Sequence, residues 1–153
     1  MNSSKQKVCQ FIDEHREEML SLWQELVNME SGSQNKPGID AVAARIAEFL
    51  ATAGAATRMV EMEKAGNVLV GEIGPERKQP KVLFMGHMDT VFSLGTVAER
   101  PFTIRDGVAY GPGVLDMKGG IVAALFAMKA LQSAGYAERP LKMILAGDEE
   151  VAH

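Results

Sequence analysis

Three stretches of this chain place metal-type side chains in loops beside apolar runs: His87-Met-Asp89, Asp116, and Asp148-Glu149-Glu150. The first follows residues 82–85, Val-Leu-Phe-Met, a run that predicts a strand buried on both faces of a sheet. His87 and Asp89 are two apart, so in extended chain both project to the same side. A metal-binding imidazole commonly gives its other ring nitrogen to a carboxylate, and the pair therefore reads as a ligand with its orienting group. Carboxylate oxygens with one imidazole suit zinc or a similar divalent ion. Two ions sharing a carboxylate form a hydrolytic arrangement, and a further glutamate that is not a ligand can then take a proton from water. Glu149 and Glu150 are adjacent and point to different sides in extended chain, so one can face the metal and the other the water. Each stretch alone has a plainer reading. His-x-Asp occurs in surface turns, Asp116 would suit a helix N-terminus, and most acidic runs are solvated. Their combination is what favours a site.

The elements that must hold these residues are legible around them. Residues 141–146 predict another buried strand, so two strands, 82–86 and 141–146, end directly in ligand-type residues. Ligands in open α/β sheets sit at the carboxyl ends of strands. Residues 121–131 are apolar on nearly every face except at Lys129, which predicts a buried helix after Asp116. Nearer the amino terminus, Val8, Phe11, Ile12, Met19, Leu22, Trp23, Leu26 and Val27 recur at three- and four-residue spacing. That spacing predicts one long amphipathic helix over 4–30, capped by Ser3 or Ser4, with His15 a packed or half-exposed structural residue and Cys9 a small packing residue or an inert exposed thiol. Residues 31–38 read as a loop closing in Pro37-Gly38, and Ile39, Val42, Ile46, Phe49 and Leu50 mark a second helix that Gly54 stops. Strands are expected over 57–62 and 68–73 with a turn at 64–67, and a charged, Pro-bounded loop over 74–80. A small hairpin is expected around Asp106-Gly107. Helices before and after strands predict an α/β fold, a layered sheet with flanking helices.

Composition narrows the function. At 153 residues the chain suits one domain with a sizeable core. Sixteen basic against twenty acidic residues give a net charge of −4, with no basic stripe, so nucleic acid is not an expected partner. No run approaches the roughly 18 uninterrupted apolar residues of a membrane span. The first twenty residues lack the apolar core of a signal peptide. The single cysteine, Cys9, leaves no internal disulfide and no Cys-based zinc cluster, and a cytoplasmic protein is the expectation. The sequence stops seven residues after the 141–146 strand, which suggests a chain truncated at its carboxyl end.

Gly86-His-Met-Asp-Thr-Val91, Tyr110-Gly-Pro-Gly-Val-Leu-Asp-Met-Lys-Gly-Gly120 and Gly147-Asp-Glu-Glu150 resemble, in order and spacing, three signatures of a di-zinc metallopeptidase family. That family includes glutamate carboxypeptidases, aminoacylases, succinyl-diaminopimelate desuccinylase and peptidase T. The resemblance implies that residues 1–153 are the amino-terminal part of its catalytic domain, binding two zinc ions, with cobalt or manganese as alternatives. His87 would bind the first ion, Asp116 would bridge both, and Glu150 would bind the second. Glu149 would be the general base and Asp89 would hold His87. A cis peptide is implied at Asp116–Met117. The implied reaction is hydrolysis of an amide next to a free carboxylate, on a small peptide or an N-acyl amino acid. Pro112 stands where many members have Arg, which points toward the glutamate carboxypeptidase branch. Val151-Ala-His153 replaces a common Gly-Ser pair, and His153 reads as a terminal residue without a role.

Family members also carry a further acidic ligand, a distant carboxyl-terminal histidine, and a lid domain that dimerises and grips the substrate carboxylate. None of these falls within residues 1–153. Each zinc would keep two ligands here where catalytic sites usually have three, so this chain alone is expected to bind zinc weakly and to be inactive. Two other functions stay open at this point. Lys118-Gly-Gly120 at a helix start could cradle an anion or phosphate, although it lacks a full phosphate-loop pattern. The chain could also be a non-catalytic remnant that keeps the signatures by descent.

Overall fold

The computed structural model describes residues 3–74 and 82–151. The expected loop over 74–80 lies, past Gly74, outside the described residues, as does His153. Helices α1 (Ser4–Glu14), α2 (Arg16–Val27) and α3 (Lys36–Thr52) come first, followed by strands β1 (Ala56–Val60), β2 (Gly66–Ile73) and β3 (Val82–His87). A short turn of helix, α4 (Thr96–Glu99), precedes the ribbon β4 (Thr103–Arg105) and β5 (Val108–Tyr110). A wide turn over Val114–Gly119 then leads into α5 (Gly120–Ser133) and β6 (Leu141–Gly147).

The amino-terminal helix is two helices. Ser3 caps α1 with a reciprocal pair of hydrogen bonds to Gln6, and the chain leaves helical geometry at His15 (φ −106°, ψ 17°). The His15 ring bonds through Nδ1 to the Phe11 carbonyl and stacks on the Phe11 ring at 3.8 Å. That carbonyl also accepts the His15 backbone N–H at 3.1 Å, so ring and main chain share it at the junction. Hydrophobic spacing runs through such a break unchanged. Helix α3 starts earlier than expected because Asn35 caps it through the Gly38 N–H, placing Pro37 in the first turn where its missing N–H costs nothing.

The sheet runs β1-β2-β6-β3, with β1-β2 and β2-β6 antiparallel and β6-β3 parallel. One face carries Leu69 and Ile73 of β2, Leu141, Met143 and Leu145 of β6, and Val82 and Phe84 of β3, in matching register. Helices α2, α3 and α5 close over these residues; Phe49 and Phe126 meet at 5.0 Å between ring centres. Burial of this face in one contiguous cluster is the main stabilising term, at roughly 25 cal/mol per Å² of apolar area.

One expectation about the sheet needs correction. Residues 82–85 are not buried on both faces, since Leu83 is 49% and Met85 70% exposed. The alternation arises because the helices cover only the face that bears Val82 and Phe84. The strand at 141–146 is interior to the sheet, and among the described residues β3 is the edge. The crossover through α5 inserts β6 between β2 and β3. The hairpin at Asp106-Gly107 is present, both residues having positive φ (52° and 77°), as a tight two-residue turn requires.

Candidate metal and catalytic site

Strands β3 and β6 are parallel and in register through His87 and Ala146, so both deliver their carboxyl ends to the same rim. That single relation brings His87, at the end of β3, beside the residues after Gly147. The third contribution comes from the wide turn before α5, where Asp116 and Met117 leave helical geometry and the Asp116–Met117 peptide is cis. His87, Asp116 and Glu150 each present a donor atom within 4.8 Å of the other two. The five residues given roles by the resemblance, His87, Asp89, Asp116, Glu149 and Glu150, meet at this rim.

The imidazole is oriented by its surroundings. Nδ1 of His87 lies 3.1 Å from the Asp89 carbonyl and 3.3 Å from Asp89 Oδ1. Both are acceptors, so Nδ1 carries the proton. Nε2 then faces the acidic side chains, 3.1 Å from Asp116 Oδ1 and 3.8 Å from Glu149 Oε2. Burial opposes charging the ring, but the Asp116 hydrogen bond, the Asp89 carbonyl, and the charges of Asp89 and Glu149 together raise its pKa above the ordinary value. Glu150 is also raised, by burial first and then by the like charges of Asp116, Asp89 and Glu149, against the pull of His87.

Asp89 does more than hold the imidazole. Its carboxylate is fully buried and accepts the backbone N–H of Glu149 on Oδ1 and of Glu150 on Oδ2, both at 3.0 Å. Oδ2 also accepts the Ser33 hydroxyl at 2.7 Å. One buried charge thus fixes the backbone of both glutamates and the ring of His87. Ser33 carries no sequence signal for this role, being one polar residue in a polar loop. It is placed by exchange with the strand-like segment after Asp89: Ser33 N–H donates to the Thr90 carbonyl and Thr90 N–H to the Ser31 carbonyl.

Lys118 overturns the anion-cradle reading. Its side chain is 1% exposed, and its ammonium donates to the carbonyls of Leu26 and Met29, both at 2.8 Å. An ammonium committed to the carboxyl end of α2 presents nothing to an anion at the start of α5. Among the described residues no Lys or Arg pairs with Asp116, Glu149 or Glu150. The rim therefore concentrates negative charge around one imidazole, a donor set that fits a divalent cation. A cleft of about 490 Å³ opens beside it, between residues 32–35 and 90–94, with Glu150 on its wall.

Residues 83–153 match the family described as Peptidase family M20/M25/M40. The chain belongs to this family. Carboxypeptidase G2 of Pseudomonas sp. (strain RS-16) is 32% identical over 131 residues, which is 83% of this chain and 31% of that protein. The Beta-Ala-His dipeptidase of Rattus norvegicus is 30% identical over 170 aligned positions, covering 95% of this chain and 34% of that protein. Among solved structures, human carnosine dipeptidase 1 superposes with a TM-score of 0.82 at 27% identity, over 97% of this chain and 35% of that one. The M20 family metallo-carboxypeptidase Sso-CP2 from Sulfolobus solfataricus gives 0.73 at 27% identity, over 86% and 31%. The chain spans about a third of the length of the relatives it matches. No helix among the described residues is long and apolar enough to cross a membrane.

Proposed function

We propose that this chain carries the metal-holding part of a peptidase or amidohydrolase that cleaves an amide bond next to a free carboxylate. The observation that carries the reading is the convergence of His87, Asp116 and Glu150 at one sheet rim with Glu149 beside them. His87, Asp116 and Glu150 would hold two ions with Asp116 shared; zinc suits the donors best, with cobalt or manganese as substitutes. When bound, such ions polarise the carbonyl under attack and make water more acidic.

The chain's own residues supply the rest. Glu149 is exposed and adjoins the donors without being needed among them, so it is free to take a proton from the attacking water and return it to the leaving amine. Asp89 sets the backbone that aims Glu149 and Glu150 and keeps the His87 proton on Nδ1. The carboxypeptidase and dipeptidase names among the relatives support a small peptide or N-acyl amino acid as substrate. On this reading, residues 1–153 are the amino-terminal part of a catalytic domain. A lid that dimerises and binds the substrate carboxylate would belong to the further length found in the relatives. Three donors cover two ions poorly, so residues 1–153 alone would hold metal weakly and turn over little substrate. A lone, exposed thiol suits a reducing compartment, and we place the protein in the cytoplasm.

The test is Glu149→Gln in the full-length protein, assayed on dipeptides and N-acyl amino acids and on their carboxyl-amidated counterparts. Wild-type protein should cleave the free acids in preference to the amides, and the variant should keep its metal while losing 10²–10⁴-fold in kcat. Unchanged turnover, or a wild type that binds metal and cleaves none of these, overturns the reading in favour of a non-catalytic remnant.

A further inference from the structure

In the wide turn that carries Asp116, the Lys118 N–H donates to the Gly113 carbonyl at 3.0 Å, but Asp116 (φ −116°, ψ 104°) and Met117 (φ −128°, ψ 32°) are both non-helical. The Asp116 side chain is 74% exposed, and its recorded partner is His87, so packing of the carboxylate does not fix where it sits. The turn is tied down from outside. Trp23 of α2 donates its indole N–H to the Val114 carbonyl at 3.1 Å. Lys118 reaches back to the Leu26 carbonyl, in the last turn of α2, and to the Met29 carbonyl just beyond it. Helix ends leave such carbonyls without intrahelical partners, and a cation there also meets the favourable end of the helix dipole.

We infer that Lys118 is a positioning residue for Asp116, a buried strut that, with Trp23, anchors the metal-facing turn to the carboxyl end of α2. The inference rests on the reading of Asp116 as a metal ligand. A packing role alone does not call for lysine at this place, because an apolar side chain would fill the space without the cost of burying a cation. Methionine has a similar volume but offers no donor to the two carbonyls. The same short segment of chain holds the other half of the site, since Ser33 bonds Asp89 and through it Glu149 and Glu150. Residues 26–33 are thus the common footing for both sets of donors, and Lys118 is the link on the Asp116 side.

The experiment uses the full-length protein with cobalt(II) as probe, comparing wild type, Lys118→Met and Trp23→Phe. Cobalt affinity is read by titration, ligand geometry by visible absorption, folding by thermal melting, and the surroundings of Trp23 by metal-free emission, taken as the difference between each protein and its Trp23→Phe counterpart so that any tryptophan beyond residue 153 cancels. Lys118→Met should melt cooperatively, bind cobalt at least tenfold more weakly with an altered spectrum, and shift Trp23 emission before any metal is added. A folded Lys118→Met protein with wild-type affinity and spectrum overturns the inference. Should that variant not fold, Trp23→Phe decides, with a smaller loss of about threefold expected and wild-type affinity overturning it. If wild type and His87→Ala both fail to bind cobalt, the metal reading itself has failed. Trp23 emission in Lys118→Met then still shows whether the strut places the turn, and an unchanged emission removes it too.

Discussion

The Asp89 carboxylate accepts the backbone N–H of Glu149 at 3.0 Å from a position with no exposure to solvent. With the Glu150 N–H and the Ser33 hydroxyl also donating, the charge is compensated by donors from two separate loops. Asp89→Asn keeps the shape but turns one acceptor into a donor facing donors. We expect it to cost about 2–4 kcal/mol in chemical denaturation, as for other buried charges stripped of their match. Metal affinity should fall 10–100-fold, the usual effect of losing a group that orients a ligand. Denaturation curves and metal titrations that match wild type would show that Asp89 is a bystander.

His87 gives the site a pH dependence whose sign follows from its raised pKa. In the metal-free protein the folded state holds the imidazole proton more tightly than the unfolded chain does. The resulting stability is fully present below the ordinary value of 6.5 and is lost as pH rises through the folded-state value. The melting-temperature difference between wild type and His87→Gln should therefore shrink as pH is raised from 5 toward 8. Metal affinity should move the opposite way and grow over the same range, because proton and ion compete for Nε2. A difference that stays flat, or widens, contradicts this.

Gly147 tests whether the strand crossing just before the two glutamates is as tight as it stands. A Cβ at this position would meet the carbonyl carbon and oxygen of Gly66 at 2.6 Å and its Cα at 2.7 Å. Those are backbone atoms of the paired strand β2, which cannot swing aside as a side chain can. Gly147→Ala should cost about 1–3 kcal/mol, the range for overpacking, and weaken metal binding by displacing Glu149 and Glu150. Wild-type stability for this variant would mean that β2 and β6 separate there at little cost.

Much of the site was legible because its residues end strands. The apolar runs at 82–85 and 141–146 announce strands, and whatever follows β3 and β6 must emerge at their carboxyl ends. What periodicity does not encode is which faces the helices cover, hence the misjudged exposure of Leu83 and Met85. Nor does it encode strand order, which depends on the α5 crossover and puts β6 inside the sheet. The break at His15 is a local change of backbone angles that leaves the hydrophobic spacing intact. Lys118 was misread for a similar reason: beside Gly119 and Gly120 it resembles an anion site, and only its contacts with Leu26 and Met29 show where its charge goes.

Lys118 makes a last prediction, independent of metal. Burial holds its pKa at about 8, below the ordinary 10.5, with Glu30 pulling in the opposite direction. The unfolded chain therefore keeps this proton over a range in which the folded protein has released it. Stability from this group rises with pH between about 8 and 10.5, the reverse of the trend at His87. Integrated over that window, the gain is on the order of 3 kcal/mol. Below pH 8 both states are protonated and the contribution levels off at its least favourable value. Urea denaturation of the metal-free protein at pH 7.5, 9 and 10 should show wild type gaining on Lys118→Met, a comparison that cancels the tyrosines and the other lysines. A gap between the two that is constant with pH would mean that the ammonium keeps its ordinary affinity for the proton, its cost of burial offset by the Leu26 and Met29 carbonyls.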